Sequence, residues 1–119
     1  MDDEEMVRDV TAAMLRYMGY EVELAVDGAE AIKMYRDAME SGKTYDAVIL
    51  DLTNKFGMGG IEAVKRLLEI DPEIRAIVAT GYCTDPILTD FREYGFRAAM
   101  AKPFMMKELA EAMGKALDL

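Results

Sequence analysis

The sequence predicts an α/β fold, a parallel sheet with helices on both faces. Helical and strand periodicities alternate strictly, in the order helix, strand, helix, strand, helix, strand, helix, strand, helix. Two of the strand segments, Ala47-Val48-Ile49-Leu50 and Ala76-Ile77-Val78-Ala79, are apolar at every position, as strands buried on both faces are. The connections are short, and a helix lies between each pair of strands, which is how parallel neighbours are joined. The 119 residues fit one domain, 1–119.

Each element has a local reason. Residues 4–18 carry Met6, Val7, Val10, Met14 and Met18 at three- and four-residue spacing, and Gly19 stops the run. Residues 20–26 alternate, with Tyr20, Val22, Leu24 and Val26 on one face and Glu21 and Glu23 on the other, which predicts a half-buried strand. Asp27-Gly28 is a turn. The helix behind it runs to about Ser41 with Ile32, Tyr35 and Met39 inward, and Gly42 follows. After the strand 47–50, a loop with Gly57, Gly59 and Gly60 leads into a helix holding Ile61, Val64 and Leu68, which Pro72 ends. After the strand 76–79, Asp85-Pro86 reads as an N-cap followed by proline in the first turn. The short helix that follows carries Leu88, Phe91 and Tyr94 and stops at Gly95. Ala98–Ala101 is the last strand, Lys102-Pro103 breaks it, and a helix from about Met106 turns Leu109, Met113 and Leu117 inward. The eleven methionines fit gap-filling on helix faces, with a Met-rich binding groove as the alternative.

Composition excludes much chemistry. There is no His, so Ser-His-Asp and Cys-His catalysis and His metal ligation are out. The one Cys, Cys83, forms no internal disulfide and no CxxC pair. A net charge of −9 disfavours nucleic acid and anionic membrane surfaces as partners. No apolar run is long enough to span a bilayer, and the acidic start is unlike a signal peptide, so a cytoplasmic location is expected.

In an open parallel sheet, ligands gather beyond the carboxyl ends of the strands. Asp51, Thr80 and Lys102 each follow a strand, and Asp2-Asp3-Glu4-Glu5 precedes the first helix where another strand end would lie. Taken singly, these have plain explanations: a turn-forming Asp, a solvated Lys, acidic residues favouring a helix N-terminus. Together they define a restricted chemistry. Carboxylates about 5 Å apart repel by roughly 3 kcal/mol per pair at an effective dielectric near 20. A hard divalent cation such as Mg2+ relieves that repulsion. A carboxylate beside Mg2+, a Lys and a Thr suits phosphoryl transfer.

The chain resembles the receiver domain of two-component response regulators, most closely those attached to hybrid sensor kinases. The matching pieces are Asp2-Asp3-Glu4-Glu5 with Arg8, Val26-Asp27-Gly28-Ala29-Glu30-Ala31, Leu50-Asp51-Leu52-Thr53, Gly57-Met58-Gly59-Gly60-Ile61-Glu62, Ala79-Thr80-Gly81-Tyr82 and Ala101-Lys102-Pro103-Phe104. The resemblance implies a flavodoxin-like, CheY-like fold and a module that takes a phosphoryl group from a histidine kinase or phosphotransfer protein and is not a turnover enzyme. It implies Asp51 as phosphoacceptor and Mg2+ held by Asp2, Asp3, Asp51 and the Thr53 backbone carbonyl. Thr80 would be the switch hydroxyl and Lys102 a phosphate-contacting residue that serves the phosphorylated state more than the fold. The Lys102-Pro103 bond would be cis.

Three features depart from the family. Only Met1 precedes Asp2, where relatives carry a central apolar strand. Strands 20–26 and 47–50 would then expose edges, which points to a homodimer or strand-exchanged oligomer. Lys55 stands where a proline is usual, beside Phe56, and Ala99 replaces the aromatic switch residue, with Tyr82 or Tyr94 as substitutes. The alternative function is a receiver-derived interaction or scaffold protein without phosphotransfer. A phosphatase of the haloacid dehalogenase type would want a carboxylate where Thr53 stands.

Overall fold

A computed structural model describes residues 1–118. Three strands, β1 (Val48–Asp51), β2 (Ala76–Thr80) and β3 (Ala98–Ala101), form a parallel sheet in the order β1-β2-β3. The register aligns Val48 with Ala76 and Asp51 with Ala79, then Ile77 with Ala98 and Thr80 with Ala101. The helices are α1 (Glu5–Tyr17), α2 (Gly28–Glu40), α3 (Gly60–Ile70), α4 (Ile87–Asp90) and α5 (Met106–Leu117), with a 3-10 turn over Phe91–Tyr94.

The sheet separates two cores. Strand β2 is buried along its whole length, and its side chains alternate between them. Ala76 and Val78 pack with Leu50, Ile32, Tyr35, Val64, Leu67, Ile87 and Phe96 on the side of α2, α3 and α4. Ile77 and Ala79 pack with Leu15, Met100, Leu109, Ala112 and Met113 on the side of α1 and α5. Each large aliphatic side chain fully buried there contributes roughly 1.5–3 kcal/mol.

The predicted helices and the three apolar strands are present with ends moved by a residue or two, except that the helix expected to run to Gly95 is α-helical only over Ile87–Asp90 and continues as the 3-10 turn. Their inward faces differ in detail. On α1 the buried residues are Ala12 and Leu15, while Met6 and Val10 are exposed. Val7, Met14 and Met18 are half-buried as expected, with Met14 and Met18 packed on the core, and the inward face also takes in Arg8 and Thr11, whose short or amphipathic side chains hid them from a hydrophobicity pattern. On α2, Ile32 and Tyr35 are buried as expected but Met39 is not, and on α3 the buried Leu67 takes the place expected of Ile61. Tyr94 is exposed, and Phe96 fills the core beneath the 3-10 turn.

The larger correction concerns 20–26, which is not a strand of the sheet. Tyr20 and Val22 pack on the α1/α5 core and Ala25 is buried, whereas Leu24 and Val26 are exposed. The segment neither pairs directly with β1 nor forms a ladder of its own. Met1 and Asp2 lie between the two. The Met1 ammonium donates to the Ile49 carbonyl at 2.7 Å, the Asp51 N–H to the Met1 carbonyl at 3.1 Å, and the Asp2 N–H to the Ala25 carbonyl at 3.1 Å. Pairing is thus satisfied only at the end of the segment nearest Asp2. A strand assignment requires a partner along its length, and alternation alone does not supply one.

Candidate functional site

The sheet places Asp51, Thr80 and Lys102 side by side at its carboxyl edge, because each ends or follows a strand of one parallel register. The Lys102 N–H donates to the Thr80 carbonyl at 2.7 Å. The Lys102-Pro103 bond is cis, as the resemblance implied. Gly60 allows the start of α3 to approach this edge, since a Cβ there would lie 2.7 Å from the Asp51 carbonyl oxygen.

The Lys102 ammonium bridges two carboxylates. It lies 2.7 Å from Asp2 Oδ2 and 2.9 Å from Asp51 Oδ1. Asp2 is 6% exposed, Asp51 3% and Thr80 1%, so the ion cluster is largely out of water. The second oxygen of Asp2 accepts from the Glu4 N–H at 2.9 Å, and Arg8 Nη1 donates to the Asp2 carbonyl at 2.8 Å. Burial pushes the Asp51 carboxyl above its ordinary range, against the lowering effect of the Lys102 hydrogen bond, while the charge of Asp2 adds to the rise. Burial pulls the Lys102 ammonium down, but its bonds to Asp2 and Asp51 outweigh this and its net direction is up. Burial lowers the Met1 ammonium to about 6.

The carboxylates of Asp2, Asp3 and Glu4 each offer an oxygen within 4.8 Å of the others. A set of hard oxygen donors at that spacing fits a small divalent cation. The cluster includes Glu4, which the sequence showed only as one of four adjacent acids. Asp51 stands apart from that set, tied to it through Lys102. Asp3 also accepts the Lys55 N–H at 3.1 Å. The loop leaving β1 is held by Asn54, whose amide donates to the Val26 carbonyl at 2.8 Å, and it carries the exposed Thr53 and Phe56.

The Thr80 hydroxyl is engaged outside this cluster. It donates to Asp85 at 3.4 Å and accepts from the Tyr82 N–H at 3.3 Å. The same Asp85 accepts from the Ile87 N–H at 3.0 Å, the capping role read from the sequence. Tyr82 and Tyr94, considered as replacements for the aromatic switch residue, are both exposed, and Ala99 is half-buried. Cys83 is exposed and free. Sequence reasoning missed the contacts of Arg8 and Lys55, because backbone-directed bonds leave no pattern in residue type.

Fold and edge together define a doubly wound α/β protein whose strand ends carry a buried, lysine-bridged acidic site. The chain belongs to the response regulator receiver domain family, whose sequence profile matches residues 1–114. It is 31% identical to sporulation initiation phosphotransferase F of Bacillus subtilis over 119 residues, covering 100% of this chain and 91% of the relative. It is 28% identical to the chemotaxis protein CheY of Thermotoga maritima, covering 97% and 92%. Among solved structures it resembles the receiver domain of NtrX from Brucella abortus, with a TM-score of 0.87 at 23% identity over 98% of this chain and 94% of that one. It also resembles the CheX-CheY-BeF3-Mg complex from Borrelia burgdorferi, with a TM-score of 0.83 at 22% identity over 95% and 82%. Receiver domains of this family act in two-component signalling as phosphoryl acceptors and bind Mg2+. Among the described residues, no helix is long and apolar enough to cross a membrane.

Proposed function

We propose that residues 1–119 are one receiver domain that accepts a phosphoryl group on Asp51 from a phosphohistidine of a partner histidine kinase or phosphotransfer protein. The observation that carries the reading is the position of the Asp51 carboxylate, at the end of β1, bonded to Lys102 and beside the Asp2-Asp3-Glu4 cluster. In the transfer, the P–N bond of the phosphohistidine breaks and a P–O bond forms to an Asp51 carboxylate oxygen, giving an acyl phosphate. Lys102 moves from bridging two carboxylates to contacting the phosphoryl oxygens. Thr80 reaches the phosphoryl group by turning its hydroxyl from Asp85, a long bond that costs little to break. Asp2, Asp3, Asp51 and the Thr53 carbonyl would hold Mg2+, with Glu4 close by, and the ion would neutralise charge on the transferring group. The chain works by accepting the group, not by turnover, and acts in the cytoplasm with its kinase.

The alternative, an interaction or scaffold protein without phosphotransfer, draws support from the protein donors already on the metal-site acids, Lys102 on Asp2 and Lys55 on Asp3. Incubation with acetyl phosphate and Mg2+, followed by intact-mass measurement, decides between them. One added phosphoryl group, absent in Asp51→Asn, is expected. Equal labelling of the variant would refute Asp51 as the acceptor, and no labelling of either would favour the scaffold reading.

A further inference from the structure

The connection from β2 to α4, residues 81–86, is exposed except for the half-buried Asp85, and the chain re-enters the core at Ile87. Among the described residues, the hydrogen bonds that tie this connection back to the strand end both meet on the Thr80 hydroxyl. The Tyr82 N–H donates to its oxygen at 3.3 Å, and the hydroxyl donates its own hydrogen to Asp85 Oδ2 at 3.4 Å. The other Asp85 oxygen, Oδ1, accepts from the Ile87 N–H at 3.0 Å. One carboxylate therefore joins the end of β2 to the first residue of α4. Thr80 is also within reach of the acceptor side, since it stands one residue past Ala79, the register partner of Asp51.

We propose that Asp85 is a positioning residue for the phosphoryl transfer, holding the Thr80 hydroxyl away from Asp51 until a phosphoryl group competes for it. The proposal rests on the reading of Asp51 as the acceptor. A hydroxyl has one hydrogen and donates it to one acceptor at a time. The Asp85 carboxylate and a phosphoryl oxygen on Asp51 both only accept, so each excludes the other from that hydrogen. Apparent affinity for a phosphoryl-like group is lowered by the fraction of chains in which Thr80 is released. A single long hydrogen bond sets that fraction within a few-fold, so Asp85 tunes the response without blocking it. Asparagine at this position separates the two bonds of the carboxylate. The Ile87 N–H requires an acceptor, which keeps the amide oxygen on its side and turns the NH2 group to Thr80. That NH2 group donates to the hydroxyl oxygen and cannot accept from it, so the hydroxyl hydrogen is freed while the cap on Ile87 stays.

The test titrates the 119-residue chain with beryllium trifluoride and Mg2+, followed by NMR of its amides. The probe caps a carboxylate oxygen with three acceptor fluorines in the shape of a phosphoryl group. Asp85→Asn is expected to bind it about two- to tenfold more tightly than the parent. In a Thr80→Ala background the same substitution should change nothing, because the hydrogen it would release is absent. In the parent, which needs no substitution, the Tyr82 amide signal should move on binding as its acceptor turns away. Unchanged or weaker binding by Asp85→Asn would overturn the proposal and leave the Asp51 reading standing. So would an equal gain in the Thr80→Ala background, which marks a plain charge effect, or a Tyr82 signal that stays in place in the parent. A parent that binds no beryllium trifluoride would overturn both.

Discussion

Replacing Lys102 by alanine separates a structural role from a signalling one. The sequence presented Lys102 as a residue for the phosphorylated state with little share in the fold, but the structure makes it the shared counter-ion of two buried carboxylates. Lys102→Ala leaves Asp2 and Asp51 facing each other with their common cation gone. At about 5 Å and an effective dielectric near 20, their repulsion is roughly 3 kcal/mol. Breaking one partner of a buried pair costs about 3–5 kcal/mol in general. Asp2 retains the Glu4 N–H, so the lower end applies, about 3 kcal/mol at pH 8. For a chain of this size that is a fall in Tm of roughly 10–15 °C.

The pH dependence has a definite sign. The folded-state pKa of Asp51 is raised, so the folded protein binds its proton more tightly than the unfolded chain does. Its contribution to stability therefore falls as pH rises from the unfolded carboxylate range through the folded value. Removing Lys102 deletes the main influence that lowers that value, and the loss then extends towards neutral pH. Thermal and urea unfolding of both proteins at pH 5 and pH 8, without divalent ions, measures this. The deficit of the variant should be smaller at pH 5 by half or more. Adding Asp51→Asn to the variant should recover stability, since the two residues couple directly. A Tm within about 2 °C of the parent at pH 8, or a deficit independent of pH, would refute the electrostatic reasoning.

The remaining predictions concern the metal, the acceptor, the loops and the core. Mg2+ should raise Tm by the amount that native-state binding adds, about 2.7 kcal/mol at one hundred times Kd, and Asp3→Ala should remove most of that rise in a calorimetric titration. Asp51→Asn alone should stabilise the protein slightly at pH 8, by up to about 1 kcal/mol in urea unfolding, because a raised carboxyl pKa marks a group the fold holds at a cost. Gly95→Ala should destabilise by about 1–3 kcal/mol, since Gly95 has a φ of 97° and a Cβ there would collide with the Leu68 side chain. Leu67→Ala, at a fully buried position between α3 and the sheet, should cost about 2–5 kcal/mol by the same measurement.

What the sequence determined by itself was the part governed by local pattern. Two uniformly apolar runs became β1, half-buried at its start, and β2, buried along its whole length between β1 and β3, because a strand covered on both faces favours apolar side chains along its run. Asp51, Thr80 and Lys102 were placed on one edge from strand ends alone, because a parallel sheet brings all its carboxyl ends together. Tertiary structure decided what depends on distant partners. Alternation at 20–26 was real, yet pairing needs a neighbour, and the only ladder-like bond there is between Asp2 and Ala25. The inward face of α1 was set by the sheet it lies on, which selected Ala12 and Leu15 over Met6 and Val10. Above all, strand ends put Lys102 and the acids on one edge, but only the fold showed that one lysine nitrogen, a hundred residues from Asp2, bridges both Asp2 and Asp51. That contact arises from the folding of the chain, which brings Asp2, just before α1, and Lys102, just after β3, into one water-poor pocket where opposite charges must meet.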